Sequence, residues 1–147
     1  YEYATGKQRR HDIGELADKT IPPMWCFQAH SASNAFTFLY SAQCGPGKGM
    51  PADHAGDAFV AQRGSWNRRT SAGHTISRVL FDDGVPYGLL VIVSTLDKDG
   101  KNPNGKPIDC VQAADGSVLF SVDAMRETND CRIYRLRWAG AGGATRP

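Results

Sequence analysis

The sequence predicts an all-β fold, and three features carry that prediction. The apolar residues fall into seven runs of strand length rather than into helical stripes. Turn signals built on Asp-Gly and Asn-Gly separate several of the runs. The one helix-like stretch, residues 12–19, is short.

The first run, 36–40, is rich in aromatic residues, and the second, 58–62, ends at the Gly64-Ser65 step. The third, 75–81, partly alternates apolar and polar residues and stops at Asp82-Asp83-Gly84. The fourth, 89–94, is apolar and precedes a polar connection that contains Asp99-Gly100 and Asn104-Gly105. The fifth and sixth, 108–113 and 118–122, flank Asp115-Gly116 so closely that a tight hairpin is expected. In the last, 132–138, basic residues punctuate the apolar ones. The strands group as four and then three. That count suits four-stranded antiparallel sheets repeated around an axis, with the second sheet one strand short. A seven-stranded sandwich uses the same number.

Composition narrows the class of partner. A formal charge of +2 over 147 residues, with acidic and basic residues interleaved, predicts neither a nucleic acid nor a membrane partner. No apolar stretch approaches the roughly 18 residues that span a bilayer. The chain opens on Tyr1-Glu2-Tyr3, which is neither a signal peptide nor an initiator methionine, so a processed product or a fragment is expected. Residues 1–20 read as a lead-in and 139–147 as a Gly/Ala-rich tail or linker. Cysteines at 26, 44, 110 and 131 form no Cys-x-x-Cys pair. Two disulfides are expected, Cys26–Cys44 and Cys110–Cys131 being the most local pairing, with an oxidising, extracellular compartment.

The most informative run is Asp57-Ala58-Phe59-Val60-Ala61-Gln62-Arg63-Gly64-Ser65-Trp66-Asn67-Arg68. It presents an indole, an amide and a guanidinium in three successive residues after a strand. An aromatic plane beside fixed charge and donors suits a flat polyanion. Ile21-Pro22-Pro23, Ala29-His30-Ser31-Ala32-Ser33, Gly56 to Ala61, Gly64 to Arg68, Lys106-Pro107-Ile108-Asp109, Ala114 to Asp123 and Arg132 to Leu136 follow one another in order. This succession resembles the C-terminal third of quinoprotein sugar dehydrogenases of the glucose/sorbosone dehydrogenase type, and is most similar to the secreted fungal pyranose dehydrogenases among them. The likeness covers most of residues 21–138.

The resemblance implies a six-bladed β-propeller of which this chain supplies about the last two blades. It also implies pyrroloquinoline quinone (PQQ) with calcium near the axis, and oxidation of an aldose or pyranose. An electron acceptor such as a haem domain and the remaining N-terminal blades are the implied partners. The catalytic base and most calcium ligands of that family lie outside this stretch, so no catalytic or metal-ligating residue is assigned here. The cofactor-binding candidates are Gln28, His30, Trp66, Asn67, Arg68 and Lys106. Arg68 offers a fork for a carboxylate, against a solvated surface arginine. Trp66 either stacks on the cofactor or fills an inter-blade core. Asn67 either reaches the quinone or serves the turn. His30, at the entrance of an expected inner strand, contacts cofactor or substrate, with Gln28 two residues earlier on the same strand face.

Two positions depart from the family pattern. Arg63 stands where many relatives carry histidine, and Lys106 where arginine is usual, which keeps the charge but loses the bidentate geometry. His11, His54 and His74 receive no role. The 97–105 loop fails the calcium-loop template and reads as a solvated connection. The alternative to an enzyme is a non-catalytic secreted propeller or carbohydrate-binding module.

Overall fold

The computed structural model describes residues 19, 21–65, 68–101, 103–123 and 131–140. They form an all-β structure of two antiparallel sheets. The first has the order β1-β2-β3-β4, from β1 (Ser33–Phe38), β2 (Ala58–Gln62), β3 (Thr75–Asp82) and β4 (Val85–Ser94). The second has the order β5-β6-β7, from β5 (Lys106–Gln112), β6 (Val118–Asp123) and β7 (Arg132–Leu136). Two 3₁₀ turns, Ser41–Gln43 and Ala52–His54, lie between β1 and β2. The helical expectation for residues 12–19 falls almost wholly outside the described residues.

Each expected strand is present, β2 at its expected limits and the others with shifted ends. β4 begins at Val85, four residues before the expected start, because Asp83 and Gly84 form a two-residue turn with φ of 45° and 76° that pairs Asp82 with Val85. The register shift between Leu80 and Phe81 absorbs the Pro86 and Gly88 that obscure the alternation. The Asp115-Gly116 connection does close the β5–β6 hairpin, with Gly116 N donating to the Ala113 carbonyl at 2.8 Å.

The strand period of two divides the first sheet into distinct faces. Phe59, Ala61 and Ile76 point toward the second sheet and pack with Cys110, Val118, Phe120 and Val122 in the main core. On the other face Ala58, Val60 and Val79 meet Trp25, Phe27 and Phe81. That outer face is only partly covered. Phe36 and Phe38 stay exposed beside a cavity of about 480 Å³ also lined by Trp25, Phe27 and Val60. A salt bridge of 2.8 Å from Arg63 to Asp123 ties the two sheets at one end. The Gln112 Oε1 accepts from Tyr40 N at 2.7 Å at the other. The sheets are therefore aligned. One end collects the beginnings of β1, β3, β5 and β7 and the finishes of β2, β4 and β6.

The cysteines depart from expectation: all four are free. Cys110 on β5 and Cys131 just before β7 are separated by β6. Two inter-strand spacings alone hold their backbones at least about 9–10 Å apart, and Cys131 lies further along the sheet because Tyr134 is the residue level with Cys110, so the pair is too far apart for a disulfide. Cys26 lies between Trp25 and Phe27, which pack on the outer face, whereas Cys44 packs against the core on the inner face. The thiol of Cys110 donates to the Phe59 carbonyl at 3.2 Å, and burial pushes its pKa up to about 11, with Asp109 adding to the effect.

Candidate functional site

The end of the sheets that holds the start of β1 and the finish of β2 carries most of the residues picked from sequence. Here β1 and β2 stay tied beyond their formal limits, through Arg63 N to the Ala32 carbonyl and Gly64 N to the Ser31 carbonyl, both at 2.9 Å. Just before β1 the backbone turns. Ser31 N donates to the Gln28 carbonyl at 3.1 Å, and His30 takes a left-handed φ of 68°. Gln28 and His30 thus sit on an exposed turn, and not on one face of a strand as expected. The turn has a reason, since Ser31 and Ala32 must present their carbonyls to the strand end opposite.

Arg68 joins this turn directly. Its Nη1 donates to the Ala29 carbonyl at 2.6 Å, which brings the guanidinium between Gln28 and His30 along the chain. These three predicted residues therefore meet around Ala29. Lys106 is the first residue of β5 and pairs in register with Asp123, at the same end but nearer the junction of the sheets. Trp66 and Asn67 lie outside the described residues.

A second group at this end escaped sequence reasoning. His74 is only 2% exposed, has φ of 60° and precedes β3. Its pKa is lowered, chiefly by burial and then by the charges of Lys106 and Arg63. Its Nδ1 is buried without a hydrogen-bond partner. Gly64 passes directly over the ring: a Cβ there would stand 2.1 Å from His74 Cε1, and φ at Gly64 is +102°. The glycine of the Gly-Ser-Trp-Asn-Arg step is thus dictated by the imidazole beneath it. No local pattern marks this pairing, because it joins a loop residue to a glycine ten positions earlier.

Arg63 and Asp123 are each about two-fifths exposed, so their ion pair is worth at most about 1 kcal/mol. At the other end of β2, Asp57 is a structural residue. Its carboxylate accepts from Arg78 Nε at 2.5 Å and from Phe81 N at 2.7 Å, and both Asp57 and Arg78 are buried. Arg78 also donates to the Asp53 carbonyl at 2.6 Å and reaches His54 Nε2 at 3.1 Å. His54 Nδ1 lies 3.0 Å from Asp53 Oδ1, which fits the tautomer protonated on Nδ1. The His54 hydrogen bond is the first cause of a lowered Asp53 pKa.

In the 97–105 loop, Asp97 Oδ1 accepts from Lys101 N at 2.8 Å, closing a turn on itself. Among the described residues no group of three or more His, Cys, Asp or Glu is placed to hold a metal ion. No helix among them is long and apolar enough to cross a membrane.

No family model matches the chain, and no solved structure matches it. A protein of Borreliella burgdorferi that bears the name "Uncharacterized protein" is similar to it, 28% identical over 149 residues that cover 92% of this chain. Those residues are 35% of the relative, so the chain spans about a third of that protein's length.

Proposed function

We propose that this chain is a wedge of about two blades from a closed six-bladed propeller. The whole protein would be an extracellular quinoprotein oxidoreductase that oxidises an aldose or pyranose with PQQ and calcium. The observation that carries this reading is the gathering of Gln28, His30, Arg68 and Lys106 at one end of two aligned sheets. Support for the ring comes from the surfaces left uncovered. The outer face of the first sheet exposes Phe36, Phe38 and Val91, and the second sheet has three strands against four, leaving β7 as an edge. Neighbouring blades of the same protein would cover both. The greater length of the Borreliella relative leaves room for them.

The donor set fits a planar polyanion. Arg68 keeps further N–H groups beyond the one used on Ala29, Lys106 adds a point charge, and Gln28 and His30 supply exposed polar groups. When bound, PQQ would supply a two-electron acceptor and calcium would polarise its carbonyl. The residues here would hold the carboxylates and orient the ring plane, and by the family resemblance Trp66 and Asn67 would contact the same cofactor. The proton acceptor belongs to blades outside this chain. Electrons would pass on to a haem domain or an external acceptor. Secretion rests on the resemblance, since free cysteines no longer argue for it.

The alternative is a non-catalytic propeller or carbohydrate-binding module, and the two departures from the family pattern favour it: Arg63 is engaged by Asp123, and Lys106 lacks the fork that an arginine would offer a carboxylate. A single experiment separates the two. The full natural protein is mixed with PQQ and calcium, and quinone absorbance is followed on addition of aldoses. Uptake at micromolar PQQ with bleaching by sugar supports the enzyme. Failure to retain PQQ removes it. Arg68→Ala in that protein is expected to weaken PQQ retention tenfold or more with little change in melting temperature.

A further inference from the structure

The opposite end of the sheets carries a cavity of about 490 Å³ between the 45–48 loop, Pro51 and Ala52 on one side and residues 137–140 on the other. Its walls are fixed by backbone. Gly45 N donates to the Met50 carbonyl at 2.8 Å, Lys48 N to the Gly45 carbonyl at 3.0 Å, and Gly49 N to the Asp115 carbonyl at 2.7 Å. At Gly49 a Cβ would stand 2.1 Å from Ser117 N, and at Gly116 one would stand 1.9 Å from the Gln43 carbonyl oxygen. Loop and β5–β6 hairpin are therefore in a contact that only glycine permits. The facing wall is stapled to them by Trp138 N, which donates to the Gly49 carbonyl at 2.7 Å.

Three side chains on this frame have no structural employment. Trp138 is 54% exposed and belongs to neither hydrophobic core. Lys48 and Arg137 are exposed, and among the described residues neither side chain makes a hydrogen bond or ion pair. The nearby Asp115 carboxylate feels Arg137, but it is bound by Arg135 at 2.8 Å and by Ser117. A half-exposed indole and two cations that make no hydrogen bond or ion pair of their own among the described residues, in a cavity whose walls are tied by backbone, form a recognition surface.

We propose that this cavity binds an acidic saccharide. The indole of Trp138 covers the C–H face of a pyranose, and the ring's carboxylate meets Lys48 and Arg137. A neutral sugar leaves both cations unmatched, and an inorganic anion leaves the indole bare. A nucleotide also offers a flat face and negative charge. The Gly45 amide and carbonyl are used within the loop and Pro46 has no N–H, which leaves the Gly47 amide and the Pro46 and Gly47 carbonyls; these scattered groups and the single aromatic wall favour a hydroxylated ring over a base. The cavity lies at the far end of the sheets from Arg68, so it stands independently of the quinoprotein reading.

The test is calorimetric titration of the full natural protein with trigalacturonate, triglucuronate, the methyl ester of trigalacturonate, sulfate and AMP. One of the two uronates is expected to bind at least tenfold tighter than the ester, sulfate and AMP. Trp138→Ala and the double variant Lys48→Gln/Arg137→Gln should each weaken it tenfold or more, and the double variant should bring acid and ester level. Trp138→Phe should recover part of the affinity, and melting temperature serves as the control for folding. Absence of binding by both uronates overturns the proposal, as does equal binding of acid and ester. Sulfate or AMP binding as tightly as the uronates also overturns it, as does full affinity in Trp138→Ala.

Discussion

Gly64→Ala tests the geometry that positions the candidate site. The added methyl would sit 2.1 Å from His74 Cε1, inside the 3.5–4.0 Å of normal carbon contact. The imidazole has little room to retreat, because His74 is 2% exposed. Overpacking of this kind costs about 1–3 kcal/mol. The backbone adds a separate penalty, since φ of +102° suits glycine and strains alanine by about 1–2 kcal/mol. The expected loss is therefore about 2–5 kcal/mol, read as a lower urea midpoint at unchanged slope in the full natural protein. A double-mutant cycle separates the parts. With His74→Ala already present, the steric part disappears and Gly64→Ala should cost only the backbone part, about 1–2 kcal/mol. A cost below about 1 kcal/mol in the parent, or the same cost in both backgrounds, would refute the stacking of Gly64 on His74.

Other outcomes follow from the same structure. His74 has a folded pKa below its unfolded value near 6.5, so the unfolded state binds the proton first as pH falls. Its contribution to stability is full above about pH 6.5 and is lost progressively below it, down to the lowered folded pKa; His74→Gln should flatten that slope in urea titrations from pH 7.5 to 5. Asp57→Ala leaves buried Arg78 without its carboxylate and should cost about 3–5 kcal/mol by chemical denaturation; a loss under about 1 kcal/mol would contradict the buried pair. Native protein treated with a thiol reagent should modify Cys26 and Cys131 quickly and Cys110 only on unfolding, as counted by mass spectrometry.

What was legible in the sequence was whatever depends on neighbours along the chain. β2 matches its expected limits because Asp57 precedes the apolar run 58–61 and Arg63-Gly64 follow Gln62. β4 was read short because Pro86 and Gly88 interrupt the alternation, and only the paired strand β3 shows how a register shift accommodates them. At the site, Arg68 and His30 were picked individually, and their meeting at Ala29 required the fold. His74 was invisible, since its burial comes from a glycine strap and cations that three different segments deliver. The cysteine pairing failed for a similar reason. Separation along the chain says nothing about β6 lying between Cys110 and Cys131.

The glycine contact between the 45–50 loop and the β5–β6 hairpin has an evolutionary consequence. Most binding loops can vary in length and sequence while the scaffold stays intact. This wall cannot, because residues 49 and 116 tolerate no side chain and the same backbone seals the core behind them. Descendants of this protein are therefore bound to keep the outline of the hollow, while side chains along its rim, such as those at positions 48, 137 and 138, can change what it accepts.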